Sequence, residues 1–235
     1  MIGRLSTLQF NQSGVSTILD AQAQVARLQE QIGTGRRIMT PSDDPSASAQ
    51  LVTLNSELSK IESHQKNIAA ATSALSFEEV ALDSANDLLL RARELTIQGQ
   101  NGTLSQRDRD AIANEIDGLR EQLLSIGNMQ NAEGEFIFAG TASNAPAYDA
   151  TGVFQGDAII RQVNIGKGVS VAQGHSGSEV FEGVNGGLNT FDVLADLSQA
   201  LRNNDQETVS ARFVDVDDAT EQLSSVRTSI GVRMN

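Results

Sequence analysis

Among the 235 residues of this chain, the side chains whose type and spacing could do chemistry are few: two histidines, two short acidic clusters and one serine flanked by glycines. Asp43 and Asp44 are adjacent carboxylates that could hold a metal or share acid–base work. Pro41 and Pro45 flank them, however, and that setting describes a helix start. Asp44 can cap, and Pro45 fits the first helical position, where a missing N–H costs nothing. Asp215, Asp217 and Asp218 lack the glycine and closing glutamate of a calcium loop, so they read as a solvated helix face. His64 and His175 have no second ligand at metal-site spacing; His64 reads as a surface residue. Gly174-His175-Ser176-Gly177-Ser178 approaches a nucleophile elbow, but Ser178 stands where that motif needs glycine. A turn between strands is the better reading. No phosphate-cradling glycine motif occurs. The sequons at Asn11 and Asn101 matter only in a glycosylating secretory route. Neither a catalytic constellation nor a cofactor is expected.

Composition narrows the classes further. With 17 basic and 30 acidic side chains the formal net charge is −13. Phosphate binding needs clustered Lys and Arg, so nucleic acid and anionic membrane surfaces are poor partners. Cysteine is absent, which removes disulfide scaffolds, thiolate metal sites and thiol catalysis. There is no apolar run long enough for a membrane span, and no apolar core of a secretory signal near Met1. Aromatic residues make up only 4%, which favours extended helical packing over an ordinary globular core.

The elements that must carry whatever the chain does are therefore helices. Up to about Ile32, Leu8, Val15, Ile18, Val25 and Ile32 form a stripe interrupted by Asn11, Gln22 and Gln29, the pattern of a helix that needs a partner. Gly33-Thr34-Gly35 stops it. From Pro45 to about Gln98 neither proline nor glycine intervenes. Leu54, Ile61, Ile68, Leu75, Leu82 and Leu89 recur there every seven residues, a strong helical-seam signal. The interleaved positions read Leu51 and Leu58, then Gln65, Thr72, Glu79 and Asn86. At 1.5 Å per residue the helix would be about 80 Å long, so the expected molecule is a rod. Ser105 and Asp108 resemble a capping box for a following helix with Ile112, Ile116, Leu119, Leu123 and Ile126 on one face. Short connections make these helices antiparallel neighbours. Residues 135–139 look like a strand. The block 146–189, with nine glycines, suggests short strands at 153–154, 159–165, 169–171 and 179–181. Thr190 can cap a short helix, and a last helix from near Gln206 repeats the seam with Val209, Val216, Leu223 and Ile230.

The expected fold is thus α+β: an elongated multi-helix rod with a small inserted β-rich domain. Residues 1–40 form a terminal helical segment, 41–145 with 190–235 a discontinuous rod domain, and 146–189 the insertion. Asp44, Pro45 and Ser105 are the expected caps. The ten heptad residues from Leu54 to Leu89 and Val209 to Ile230 are the expected seam.

Residues 28–38, reading Leu-Gln-Glu-Gln-Ile-Gly-Thr-Gly-Arg-Arg-Ile, and Pro41-Ser-Asp-Asp-Pro45 resemble the N-terminal region of the bacterial flagellin superfamily. So do residues 91–105, from Arg91-Ala92-Arg93-Glu94-Leu95 to Leu104-Ser105. The prolines around Ser42-Asp43-Asp44, together with Gly134-Glu-Phe-Ile-Phe-Ala-Gly-Thr141, are similar to the hook-associated protein 3 family within it, the hook–filament junction proteins. The stretches 174–177 and 180–181 are similar to that family as well. The resemblance implies a coiled-coil bundle exported through the flagellar type III apparatus without a cleaved signal. It implies an extracellular place at the hook–filament junction, with flagellin and a hook-associated junction protein as partners. Members of that family continue beyond the part resembling residues 229–235 into a helix that pairs with the N-terminal one and meets an export chaperone. On that ground the chain reads as a C-terminally truncated monomer whose first 35 or so residues are unpaired or disordered on their own. The alternatives are filament flagellin itself, or an adhesive or carbohydrate-binding surface protein. An enzyme is the weakest reading.

Overall fold

The computed structural model describes residues 7–184 and 188–234. The first six residues of the expected terminal segment, the glycine-rich turn at 185–187 and Asn235 lie outside the described residues. In chain order the elements are α1 (Thr7–Thr34), α2 (Pro45–Gly99), α3 (Gln106–Gly127), β1 (Gln162–Gly166), β2 (Val169–Ala172), α4 (Gly177–Phe181), β3 (Glu182–Val184), β4 (Leu188–Asn189), α5 (Thr190–Asn203) and α6 (Gln206–Met234). They fall into two units, Met1–Glu62 and Ser63–Asn235, with the boundary inside α2.

The first unit holds α1 and the opening turns of α2. Asp44 Oδ1 accepts the Ala47 N–H at 2.9 Å, and the Asp44 carbonyl accepts from Ser48 at 2.9 Å. That geometry satisfies donors which the first turn cannot pair internally. The Asp44 carboxyl is held below the usual carboxylate range by the Ala47 N–H first and then by Arg37, 3.2 Å away. Its neighbour Asp43 ties the preceding loop instead, accepting the N–H groups of Met39 and Thr40 at 3.1 and 2.9 Å and pairing with Arg27. The stretch expected to be unpaired or disordered is helical from Thr7 to Thr34, and its large apolar side chains from Phe10 to Ile32 are exposed.

The second unit contains the core. The last thirty or so residues of α2 lie beside α3 and α6, and α5 packs on α3 and on α6. Ser105 opens α3 with a reciprocal capping box, its side chain accepting from the Asp108 N–H while Asp108 reaches back. α2 ends against α5 so closely that a side chain at Gly99 would come within 2.5 Å of Leu201. Glycine permits that approach, and any larger residue would make the Leu201 methyl shift.

The β content is smaller than expected. β1 and β2 form one antiparallel hairpin, and β3 with β4 a second short pair. Residues 135–139 make no strand, because their N–H groups go to different partners: Phe136 to the Ser143 carbonyl and Ile137 to that of Met129. Val153 and Phe154 contribute a single bridge from Phe154 to Tyr148. There the Asp149 carboxylate takes the N–H groups of Thr151 and Val153, closing an Asx turn. The expected strand at 179–181 is part of α4, since Glu179 and Val180 both donate to the Ser176 carbonyl. The cap of α5 is also shifted by one residue. Asn189 accepts from the Phe191 N–H at 2.8 Å, while the buried Thr190 hydroxyl donates to Phe181.

Candidate functional site

The helical seam of the second unit is built from small and large residues in alternation. Along α2 the buried positions run Ala71, Leu75, Glu78, Leu82, Ala85, Leu89, Ala92 and Gly99, with Ala81, Leu95 and Thr96 beside them. The repeating leucines therefore interleave with residues three positions later, not four. Gln65, Thr72, Glu79 and Asn86 are not the second half of the seam: Gln65 and Thr72 are exposed, and Glu79 and Asn86 are half-buried. Leu75, Leu82 and Leu89 are sealed from water, each 1% exposed or less. Full burial of one such leucine contributes about 2 kcal/mol. α6 follows the same rule, burying Val209, Val216, Leu223 and Ile230 with Ala219 and Val226 between them.

Charged pairs lock the register at the seam's edges. Arg91 meets Glu115 of α3 at 2.7 Å, Arg227 of α6 meets both Glu79 and Asp83 of α2 at 2.8 Å, and Arg93 pairs with Asp217. These contacts are largely exposed, so they orient helices more than they stabilise them. Glu79, read from the sequence as an interruption of the seam, is one of these edge groups.

A carboxylate–imidazole pair sits inside the seam, besides the buried Thr96 of α2 and Asp215 of α6. Glu78 is 3% exposed and His175 2% exposed. Glu78 Oε1 lies 2.9 Å from His175 Nδ1, and His175 Nε2 faces the Ser229 hydroxyl of α6 at 3.4 Å. Burial pushes the Glu78 carboxyl up, and the bond to His175 opposes that rise. The order carboxylate–imidazole–hydroxyl is that of a hydrolase triad. Ser229, however, stands inside α6, where the surrounding N–H groups are spent on helical bonds rather than aimed at an oxyanion. The arrangement ties α2, the 173–176 loop and α6 together. Sequence reasoning placed His175 in a turn and passed over Glu78 and Ser229. The available signal was spacing: Glu78 falls in the series of small residues at 71, 85, 92 and 99, three after Leu75 and four before Leu82.

The other expected sites are dispersed. His64 and Asn67 bond the Asn164 carbonyl, at 3.3 and 2.7 Å, fastening the β1–β2 hairpin to α2. Asp215 pairs with Arg212 at 2.6 Å. Among the described residues no group of three or more acidic, histidine or cysteine side chains could hold a metal.

The remaining candidate surface is apolar. In the first unit Phe10, Val15, Ile18, Val25, Leu28 and Ile32 of α1 are at least half exposed, as are Leu54, Leu58 and Ile61 of α2. In the second unit Ile68 is exposed too. These heptad positions lack cover because no helix packs on that face of α2 among the described residues. The expected seam therefore splits: Leu54, Ile61 and Ile68 face water, whereas Leu75, Leu82 and Leu89 are buried. Exposed apolar stripes of this extent belong to interaction surfaces. A family model, the bacterial flagellin N-terminal helical region, matches residues 5–143 and so takes in these stripes.

The chain belongs to the bacterial flagellin family.

Within the flagellin family the likeness is uneven. Flagellar hook-associated protein 3 of Salmonella typhimurium is 28% identical, over 99% of this chain and 80% of its own length. The structure of a flagellar hook-associated protein from Vibrio parahaemolyticus is 32% identical, covers 83% of this chain and 90% of its own, and superposes with a TM-score of 0.77. Listeria innocua flagellin is 27% identical over 52% of this chain and 42% of its own length. The chain is thus a homologue of hook-associated protein 3 along nearly its whole length, and the match to this flagellin is partial. Its mostly helical fold with a small β-containing region is that of the flagellin family. No helix among the described residues is long and apolar enough to cross a membrane.

Proposed function

We propose that the chain is a structural subunit of the bacterial flagellum at the hook–filament junction. It joins a hook-associated junction protein on one side to the flagellin filament on the other, by helix packing of its bundle and its terminal helix. One observation carries this reading: the similarity to hook-associated protein 3 runs over 99% of the chain and 80% of that relative, whereas Listeria innocua flagellin matches over 52% of the chain and Bacillus subtilis flagellin over 88% of the chain and 70% of its own length. The exposed stripes on α1 and early α2 supply the physical means, since burying them against neighbouring subunits releases water from apolar surface. In this reading Leu75, Leu82, Leu89, Val209, Val216, Leu223 and Ile230 keep the bundle rigid. Leu54, Ile61 and Ile68 wait for subunit neighbours, and Asp44, Pro45 and Ser105 fix where the helices begin. The protein works outside the cell after export without a cleaved signal, accompanied by an export chaperone. It has no catalytic role and needs no cofactor.

Expression of the gene in a flagellated strain lacking its own hook-associated protein 3 tests this. Restored filaments, with antibody label confined to the hook–filament boundary, are expected. Label running along the filament would identify a flagellin instead, and absence of label from flagella would overturn the proposal.

A further inference from the structure

Beside the Glu78–His175 pair, the second unit holds a cavity of about 550 Å³ that the assembly role does not use. This is the size of a small-molecule site. Ala70, Ala74 and Phe136 give it an apolar wall, and its carboxylates are Glu78, Glu133 and Glu135. Besides His175, the one basic side chain lining it is Arg161, 3.6 Å from Glu135, while Arg233 donates to the Gly174 carbonyl at 3.2 Å and lies within electrostatic reach of Glu78. Negative charge is in excess.

Glu78 differs from the two other acids. Its Oε1 is bonded to His175, but its Oε2 is shielded from solvent and has no hydrogen-bond partner. A buried carboxylate oxygen left unsatisfied is costly, and a charged donor recovers more of that cost than a neutral one. Gly174 lines the same cavity, and a methyl group there would touch Oε2 at 3.4 Å. Glycine at this position sets no side chain against that oxygen.

We propose that this cavity binds a monocationic group, an ammonium or guanidinium, carried on a short apolar stem. The charged head sits at Glu78, and the stem lies along Ala70, Ala74 and Phe136. A free amine and a Lys or Arg side chain of a second copy of the chain share this chemistry.

Amide NMR spectra of the protein titrated with butylguanidinium, and separately with its neutral isostere butylurea, test the proposal. Saturable shifts at Ala70, Ala74 and Gly174 are expected with the cation, and affinity about tenfold weaker for butylurea. Glu78→Gln should lower the cation's affinity to that of butylurea. Equal affinity for the two probes, or an unchanged response in Glu78→Gln, would overturn the proposal. If Glu78→Gln does not fold, Gly174→Val decides: it keeps the carboxylate but covers it, and retained cation affinity there contradicts the assignment. Raising the protein concentration without any probe separates the sources. Shifts at the same amides that vanish in Glu78→Gln assign the head group to a second copy. Shifts that need butylguanidinium assign it to a free cation.

Discussion

Leu54, Ile61 and Ile68 continue without a break in spacing into Leu75, Leu82 and Leu89, yet the two halves of this series meet opposite surroundings. The first three are 58%, 53% and 45% exposed, and the last three 1%, 0% and 0%. Residue type does not explain the contrast, since both halves are large aliphatic side chains of equal size at the same interval. The partners do. From Ala71 on the interleaved positions are small apart from Glu78, and the leucines join one buried cluster with residues of α3, α5 and α6; before it they are Glu57 and His64, and no helix closes over them among the described residues. A seven-residue repeat shows that a helix has a side to bury, and leaves open whether this chain or another buries it.

Substitutions break or sharpen this comparison in a definite order. The largest effect is expected for Leu82→Asp, which puts a charge where no water reaches and should cost about 3 kcal/mol or more, if the unit folds at all. Ile61→Asp, on the same stripe, should change stability by no more than about 0.5 kcal/mol. Chemical denaturation followed by circular dichroism compares the two, and equal losses would remove the distinction between the halves.

Next comes Glu78, the polar member of the buried half. Its carboxyl is raised above the ordinary value of 4.5 by burial. As pH rises above that value the unfolded chain gives up the proton before the native state does, so the native state loses stability through this group. Wild type should therefore fall relative to Glu78→Gln between pH 4.5 and the raised native value. Paired unfolding curves across this range check it, and a gap that stays constant with pH would show that Glu78 titrates normally. A smaller loss, about 1 kcal/mol, is expected for Ser105→Ala, which removes half of the capping box of α3. Smallest is Arg91→Ala: the pair with Glu115 is exposed on both sides, and its loss should shift the unfolding midpoint by an amount worth less than about 0.5 kcal/mol.

Much of the helical framework was legible in the sequence. The limits of α2 follow from Pro45 and Gly99, and the start of α3 from the Ser105–Asp108 pair. The leucine and valine repeats mark the large residues of both seams. Legibility failed at the small ones. Ala71, Ala85 and Ala92 carry little hydrophobic signal, so the four-residue step to Thr72, Glu79 and Asn86 looked equally good, and Glu78 was hidden with them. The β-containing block was the least legible part. There side chains compete for the backbone: Asp149 captures the N–H groups that a strand at 153–154 would have used, and Ser176 lets residues 177–181 turn as a helix. Alternation of apolar residues cannot register such competition.

The central claim is that the exposed half of the α2 repeat serves neighbouring subunits. The double variant Leu58→Ser/Ile61→Ser tests it most directly, measured both as purified protein and in flagellated cells lacking their own hook-associated protein 3. The account predicts a melting temperature within about 2 °C of wild type together with loss of filament growth from the hook. Wild-type filaments from this variant would contradict it.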